Sequence, residues 1–584
     1  MRKERAVTCN INVLLILSTI YSYRGFKFTS DCRIPLSCTI FSDFGPNLSG
    51  RQKSPAQDSS SSTSSSLTVA ETCFVPQPGA IQKIMDPMGP VVLIIGAGIS
   101  GLAAAQKLYK HGFKNLRILE ATGRSGGRIR SQKYAKGLVE IGAQWIHGPS
   151  PSNPVFQLST QYDLLSPEAL SEENQLVELE GHPMFSVIYS SSGKQISTEI
   201  GENVVEMFSS WFQKSREFTK GGCNPEDSVG SFLRQEISCS YSNWDKDSLE
   251  LKMALLNCLF KLECCISGTH SMDCVALGPY GEYKILPGLD CTFPRGYESL
   301  VSHIKASFPS DMVLLNKPVK TIHWKGSFHG SDSHMYPVQV ECENGETFIA
   351  DHVIITVPLG FLKEKATYLL SPPLPSYKLQ AIQNLGFGTN NKILLEFEKP
   401  FWEPECYAIQ LIWEGESPLT EPKTNLQQDW VKKIPGFVVL QPPEQLGHVL
   451  CAFIAGKESE FMESLSEDEI LSTMTSLLRK CTGTPNLPPP ISILRTRWHS
   501  EPYTCGSYSY VAVGSSGRDI DMLAQPLPEE RECAKPLQVL FAGEATHRNF
   551  YSTTHGALLS GWREAERLID QYPALHSVFS KSKL

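Results

Sequence analysis

The chain lacks a Cys-x-x-Cys pair among its 17 cysteines, an excess of basic residues, an apolar run of membrane-spanning length and an apparent internal repeat. Without the cysteine pairs, a zinc ribbon or thioredoxin-like motif is excluded, and no metal site is expected. The scattered thiols read as reduced and mostly buried. The 53 Lys and Arg against 61 Asp and Glu leave a formal net charge of −8. A nucleic-acid binder would instead carry a basic patch, so no nucleic-acid partner is expected. The mild acidity is compatible with a small cationic substrate. The run Ile11 to Ile20, broken by Asn12 and Ser18, falls short of the roughly 20 residues that span a bilayer. No membrane partner is expected for the mature protein.

What is present divides the chain unevenly. Arg2, Lys3 and Arg5 precede that apolar run in the charge order of a signal peptide. Ser59 to Ser66, broken only by Thr63, cannot bury enough apolar surface to fold. Residues 1–89 therefore read as a disordered or targeting-like extension, with Met85 and Met88 as plausible starts. At the other end, Ser582-Lys583-Leu584 is a peroxisomal address on a polar tail, 576–584. It implies an import receptor as partner and the peroxisome as location, with the cytoplasm second, and it outweighs the signal-like N-terminus.

Ordered structure is expected from Val91. Val-Val-Leu-Ile-Ile (91–95) reads as a parallel strand buried on both faces. A helix follows over about 99–110, closed by His111-Gly112, and Leu116 to Leu119 is a second strand. Further strands are predicted at 351–358 and 537–541, and a helix over about 556–572. Between the first strand and helix lies Gly96-Ala-Gly98-Ile-Ser100-Gly101. A GxGxxG is weak alone, but here it follows a strand, opens a helix and has Glu120 at the end of the next strand. Gly96 permits the turn, Gly98 a close backbone approach to a pyrophosphate, Gly101 close helix–strand packing, and Glu120 can accept from ribose hydroxyls.

The next segment, Glu120-Ala-Thr-Gly-Arg-Ser-Gly-Gly-Arg128-Ile, resembles the continuation found in the flavin amine oxidases. Gly142-Ala-Gln144-Trp145-Ile-His147-Gly148, Phe541-Ala-Gly543-Glu544-Ala, Ser552-Thr553-Thr554 and Lys317-Pro-Val319 match further motifs of that family in the same order. The resemblance covers about residue 90 to the C-terminus. The runs 263–273 and 506–514 are most similar to its polyamine oxidase branch.

The resemblance implies a two-domain flavoprotein fold, α/β (α+β overall), with a Rossmann-like FAD domain and a sheet-plus-helix substrate domain. The expected boundaries are 90–170, 290–365 and 505–575 for FAD, and 171–289 and 366–504 for substrate. It implies FAD-dependent, oxygen-consuming oxidation of N-acetylated polyamines at a secondary amine, with free spermine oxidation or a non-catalytic scaffold as alternatives, and a monomer. Arg128 would meet the diphosphate, Glu544 the ribityl and pyrophosphate portion, and Val319 the adenine. Gln144 and Trp145 would run past the ring, and Thr553 and Thr554 would present helix amides to its pyrimidine end. Lys392, in Gly388-Thr-Asn-Asn391-Lys392, would hold a water near the flavin. His147 would face the substrate, Glu263 would meet a distal ammonium, and Asn391, Tyr508, Tyr510 and Ser552 would line the site. Monoamine oxidases link flavin through a cysteine where Ser507 stands here, so the FAD is expected to be non-covalent. Their second cage tyrosine is replaced by the small Ser552 and Thr553, opening the cage to a long substrate.

Overall fold

The computed structural model describes Leu14–Leu15 and residues 89–575, except 176, 178–182, 185, 222, 225, 331–333, 421–424, 529–535 and 574. Most of the expected N-terminal extension and the whole of Ser582-Lys583-Leu584 lie outside the described residues.

A five-stranded parallel sheet runs in the order Val539–Phe541, His352–Ile355, Val92–Ile95, Leu116–Leu119, Val313–Leu314. Its strands are apolar on both faces because both faces are covered. Val92 and Ile94 point into one core with the helices Ile99–Lys110 and Thr554–Gln571. Leu93 and Ile95, on the opposite pleat, point into a second core with Ile322, Val340 and the helix Leu359–Leu369. The strand, helix and strand expected at 91–119 are all present. The expected 537–541 strand is shorter, Val539–Phe541, and the last helix begins at Thr554.

A four-stranded sheet lies in the order Thr347–Ala350, Val338–Cys342, Val319–His323, Leu370–Ser371. The last of these pairs in parallel with Val319–His323, so that sheet reaches beyond residue 365.

A seven-stranded sheet carries the other half of the cavity, in the order Ser492–Arg495, Asn390–Phe397, His448–Ala455, Gly436–Val439, Ala408–Ile412, Ser186–Ser190, Gln195–Ile196. Asn390–Phe397 is interior, one strand in from the edge, and paired antiparallel on both sides. Its odd residues Ile393, Leu395 and Phe397 enter a core with the helix Glu467–Cys481. Leu394 faces the other way, toward Val139 and Trp498. The helix Lys246–Ser267 buries Leu255, Leu256 and Leu259 in a further core and ends at Gly268, in the left-handed conformation. Twelve described cysteines are free thiols, seven of them buried, in line with the reduced, buried reading. Among the described residues no helix is long and apolar enough to cross a membrane.

Candidate active site

One cavity of about 450 Å³ runs from the C-terminal ends of the parallel strands to the wall formed by Lys392, Tyr508 and the end of the helix Lys246–Ser267. Its nucleotide half is built mainly from backbone. Gly96 holds φ +103°, and a Cβ there would meet Thr356 Oγ1 at 2.7 Å; at Gly101 a Cβ would lie 2.1 Å from Gly96 O. Both glycines are therefore sterically required. Gly98 differs: a Cβ built on it meets nothing within 4 Å, and the residue lines the cavity. The helix it opens has no side-chain cap, so its first amides remain available to an anion. Ser100 Oγ pairs with Ser560 Oγ at 3.1 Å, and Ser560 accepts from Gly543 N at 2.8 Å. The two glycine motifs are thus tied by one serine bridge.

Glu120 is buried and accepts from Ala97 N at 2.8 Å and Thr122 N at 2.9 Å. Arg128 Nη1 donates to Glu544 Oε1 and Ser507 O, both at 2.8 Å. Glu544 also accepts from Ser509 Oγ and Ser552 N. Ser552 holds a positive φ of 67° and lines the cavity. Thr553 caps the last helix, accepting from Gly556 N at 3.0 Å, while Thr554 Oγ1 pairs with Tyr297 OH at 2.6 Å. That helix begins at the cavity wall, so its positive end lies at the cavity. Val319 and Lys317 also line this half.

In the other half, Lys392 is buried. Its Nζ donates to Glu140 O at 2.7 Å, and to Gly142 O and Gln144 Oε1 at 2.8 Å. Burial holds its ammonium below the usual lysine range. Trp145 and His147 lie on the same wall, ring centroids 6.3 Å apart. His147 Nδ1 meets Asp290 Oδ2 at 2.6 Å. A carboxylate only accepts, so Nδ1 carries the proton and the neutral ring has an acceptor at Nε2. The Asp290 side chain has no solvent exposure and also accepts from Gly148 N at 3.1 Å. Tyr508 OH donates to Cys265 O and accepts from Asn390 Nδ2 at 2.8 Å. Tyr510 pairs across from Gly386 and lines the cavity.

Two expected site residues are corrected. Asn391 does not face the cavity. It is fully buried, donates to Ser459 Oγ and Glu463 Oε1, and accepts from Thr496 Oγ1 and Trp498 N. Strand alternation puts Asn390 beside Lys392 on the cavity wall instead. Glu263 does not face it either. It is buried behind the wall, its Oε2 without a partner among the described residues, and burial pushes its carboxyl up to about 8. Cys265, Ile266 and Ser267, at the helix end, form the wall. Asp290, Asn390 and Arg216 are site residues that sequence reasoning missed. Asn390 was within reach, since period 2 from Lys392 selects it. Asp290 lies 143 residues from His147 and carries no local signal.

An FAD suits this cavity. The open face at Gly98, the uncapped helix start, the buried acid Glu120 and the lining guanidiniums of Arg124, Arg128 and Arg130 match a dinucleotide. Ser507, where a linking thiol would be needed, makes hydrogen bonds with the backbone of Asn390 on both sides.

Residues 99–569 match the family model described as flavin-containing amine oxidoreductase. The chain is 56% identical over 499 residues to the peroxisomal N(1)-acetyl-spermine/spermidine oxidase of Bos taurus, covering 84% of this chain and 97% of that protein. It is 57% identical over 489 residues to the protein of the same name from Homo sapiens, covering 83% and 95%. Polyamine oxidase 1 of Oryza sativa subsp. japonica is 32% identical over 519 residues, covering 83% and 98%. With the family model matched over residues 99–569 and these relatives matched over more than four fifths of its length, the chain belongs to the flavin-containing, FAD-dependent amine oxidoreductases.

Proposed function

We propose that this protein oxidises N1-acetylated spermine and spermidine at the secondary amine, in the peroxisome. The near full-length identity to two relatives of that activity carries the reading. The carbon of the acetamidopropyl arm that is bonded to the secondary nitrogen loses a hydride equivalent, and water cleaves the resulting imine. The products are 3-acetamidopropanal and the shortened polyamine, and oxygen leaves as hydrogen peroxide. FAD, when bound, accepts the hydride equivalent and hands two electrons to oxygen.

The chain's own residues prepare the substrate. His147, fixed as the Nδ1–H tautomer by Asp290, offers Nε2 to the amine and favours its neutral form. Tyr508 and Tyr510 wall the reacting carbon and exclude water. Lys392 handles a proton at the ring side. Of its three acceptors only Gln144 is a side chain, so Gln144 is the one that can move aside to admit a water. Ser552 and Thr553 leave room for a linear substrate. Glu120, Arg128, Glu544 and Val319 hold the nucleotide end. We assign 90–170, 290–365 and 505–575 to cofactor binding, 171–289 and 366–504 to substrate binding, and Ser582-Lys583-Leu584 to peroxisomal import.

Peroxide release measured side by side with N1-acetylspermine, N1-acetylspermidine, spermine and spermidine tests the reading. The acetylated pair should give the larger kcat/KM. Preference for free spermine would overturn it.

A further inference from the structure

Tyr297 is the largest fully buried side chain among the described residues, and it does not line the cavity. It precedes the helix Glu298–Lys305 and packs on Phe293, ring centroids 4.2 Å apart. Its backbone N donates to Glu140 Oε1 at 2.8 Å, and the carbonyl of that same Glu140 accepts from Lys392 Nζ at 2.7 Å. Its hydroxyl pairs with Thr554 Oγ1 at 2.6 Å. One residue thus ties the lysine wall to the start of the helix Thr554–Gln571.

Burial decides which of the two hydroxyls donates. Tyr297 has no solvent exposure, and among the described residues Thr554 is the only partner of its hydroxyl. A phenol that accepted there would leave its own proton unmatched in the core, which folded proteins rarely allow. Burial also holds the phenol above its usual range, so the proton stays on it. Tyr297 therefore donates and Thr554 accepts, and the Thr554 proton is left over. That hydroxyl has no other partner among the described residues, and Thr554 lines the cavity. The neighbouring Thr553 differs: its hydroxyl accepts from Gly556 N at 3.0 Å, donates to Phe550 O at 2.7 Å, and so is spent.

A hydroxyl that accepts one hydrogen bond becomes a stronger donor in the next. Two electrons taken up by a bound FAD bring negative charge, which a donor fixed on the cavity wall stabilises. We propose that Tyr297 is a positioning residue for the cofactor: its phenol leaves the Thr554 hydroxyl as a donor into the cavity and, through Glu140, ties that donor to the wall that carries Lys392. This rests on the FAD-dependent reading above.

The two-electron midpoint potential of the holoenzyme tests it, measured against a reference dye beside FAD content and thermal midpoint. Tyr297→Phe keeps the ring and removes one oxygen. The balance of reduced to oxidised cofactor should then fall at least about threefold, a potential lower by about 14 mV for a two-electron couple. Thr554→Ala should give at least the same shift, and Thr554→Ser, which keeps a hydroxyl, should hold the parent's potential. Adding Tyr297→Phe to Thr554→Ala should move the potential no further, since the phenol acts through that hydroxyl. A Tyr297→Phe enzyme whose potential matches the parent's, with or without a lower thermal midpoint, would make Tyr297 a packing residue and overturn the proposal. Shifts that add in the double variant would overturn it as well. If Tyr297→Phe does not fold, Thr554→Ala against Thr554→Ser decides, and equal potentials for the two count against the proposal. A parent protein that holds no FAD would instead sink the functional reading.

Discussion

Lys378 and Lys392 are both buried, and each donates to three oxygens, yet they serve different regions. Lys378 Nζ reaches Met522 O at 2.6 Å, Leu523 O at 3.0 Å and Gln525 O at 2.7 Å, closing the C-terminus of the helix Gly517–Ala524. Its ammonium also sits over the Phe541 ring at 4.2 Å. Burial pushes it down to about 7, while three carbonyl acceptors are all matched only when it carries three protons. Lys392 stands on the cavity wall, and one of its acceptors is the side-chain amide of Gln144, itself on that wall. A buried lysine is therefore no mark of an active site by itself. What separates the two is an open wall and a partner that can move.

Substituting each lysine by Met breaks this comparison if it is wrong. Lys392→Met keeps length and apolar bulk, and the three oxygens it leaves can turn to water in the open cavity, so FAD content should stay near the parent and the thermal midpoint should fall less than in Lys378→Met. Turnover should fall at least about tenfold, equivalent to about 1.4 kcal/mol of barrier. Stopped-flow reduction and reoxidation would locate the loss. Lys378→Met leaves three carbonyls unmatched and should cost roughly 1–3 kcal/mol of stability, while kcat per bound FAD stays within twofold. Full turnover in the first variant would make Lys392 an ordinary strand residue.

The two halves of the cavity also differ in how much the sequence discloses. The nucleotide half works through backbone, and backbone needs announce themselves: Gly96 and Gly101 admit no Cβ, and Glu120 sits at a fixed spacing from them. The substrate half works through side-chain direction. Lys392 was legible because its motif is specific, but Asn391 was chosen over Asn390 although the pleat decides between them. Glu263 was placed in the site because the family resemblance implied an acid there, while the helix Lys246–Ser267 that turns it behind the wall was not read from the sequence. Asp290 comes from a loop and Arg216 from the end of the helix Thr198–Ser215, both far along the chain, and only the folded contacts bring them to His147 and to the cavity.

A smaller effect sharpens the substrate side. If Asp290 acts through His147, their substitutions should not add. His147→Ala and Asp290→Asn should each lower kcat/KM for N1-acetylspermine by roughly ten- to a hundredfold, and the double variant should be little worse than either. Losses that multiply would mean that Asp290 acts on the fold or substrate independently, through Gly148 for instance.

The smallest effect extends the contrast from bases to acids. Glu140 and Glu263 are both buried, but Glu140 accepts from Tyr297 N and Ser131 Oγ at 2.8 Å, whereas Oε2 of Glu263 has no partner among the described residues. The Glu263 carboxyl, pushed up to about 8 from an ordinary 4.5, stays protonated in the fold over a range where the unfolded chain has released the proton. The folded state then binds more protons than the unfolded state, so stability falls as pH rises between these values, by at most roughly 1.4 kcal/mol per pH unit. Glutamine has nearly the same shape and cannot titrate. Glu263→Gln should therefore match the parent's thermal midpoint near pH 5 and exceed it progressively toward pH 8, with kcat and KM unchanged at neutral pH because the residue lies behind the wall. The measurement is a thermal scan of both holoenzymes across that range. A midpoint difference that stays flat with pH would mean that Glu263 does not stay protonated in the fold over that range.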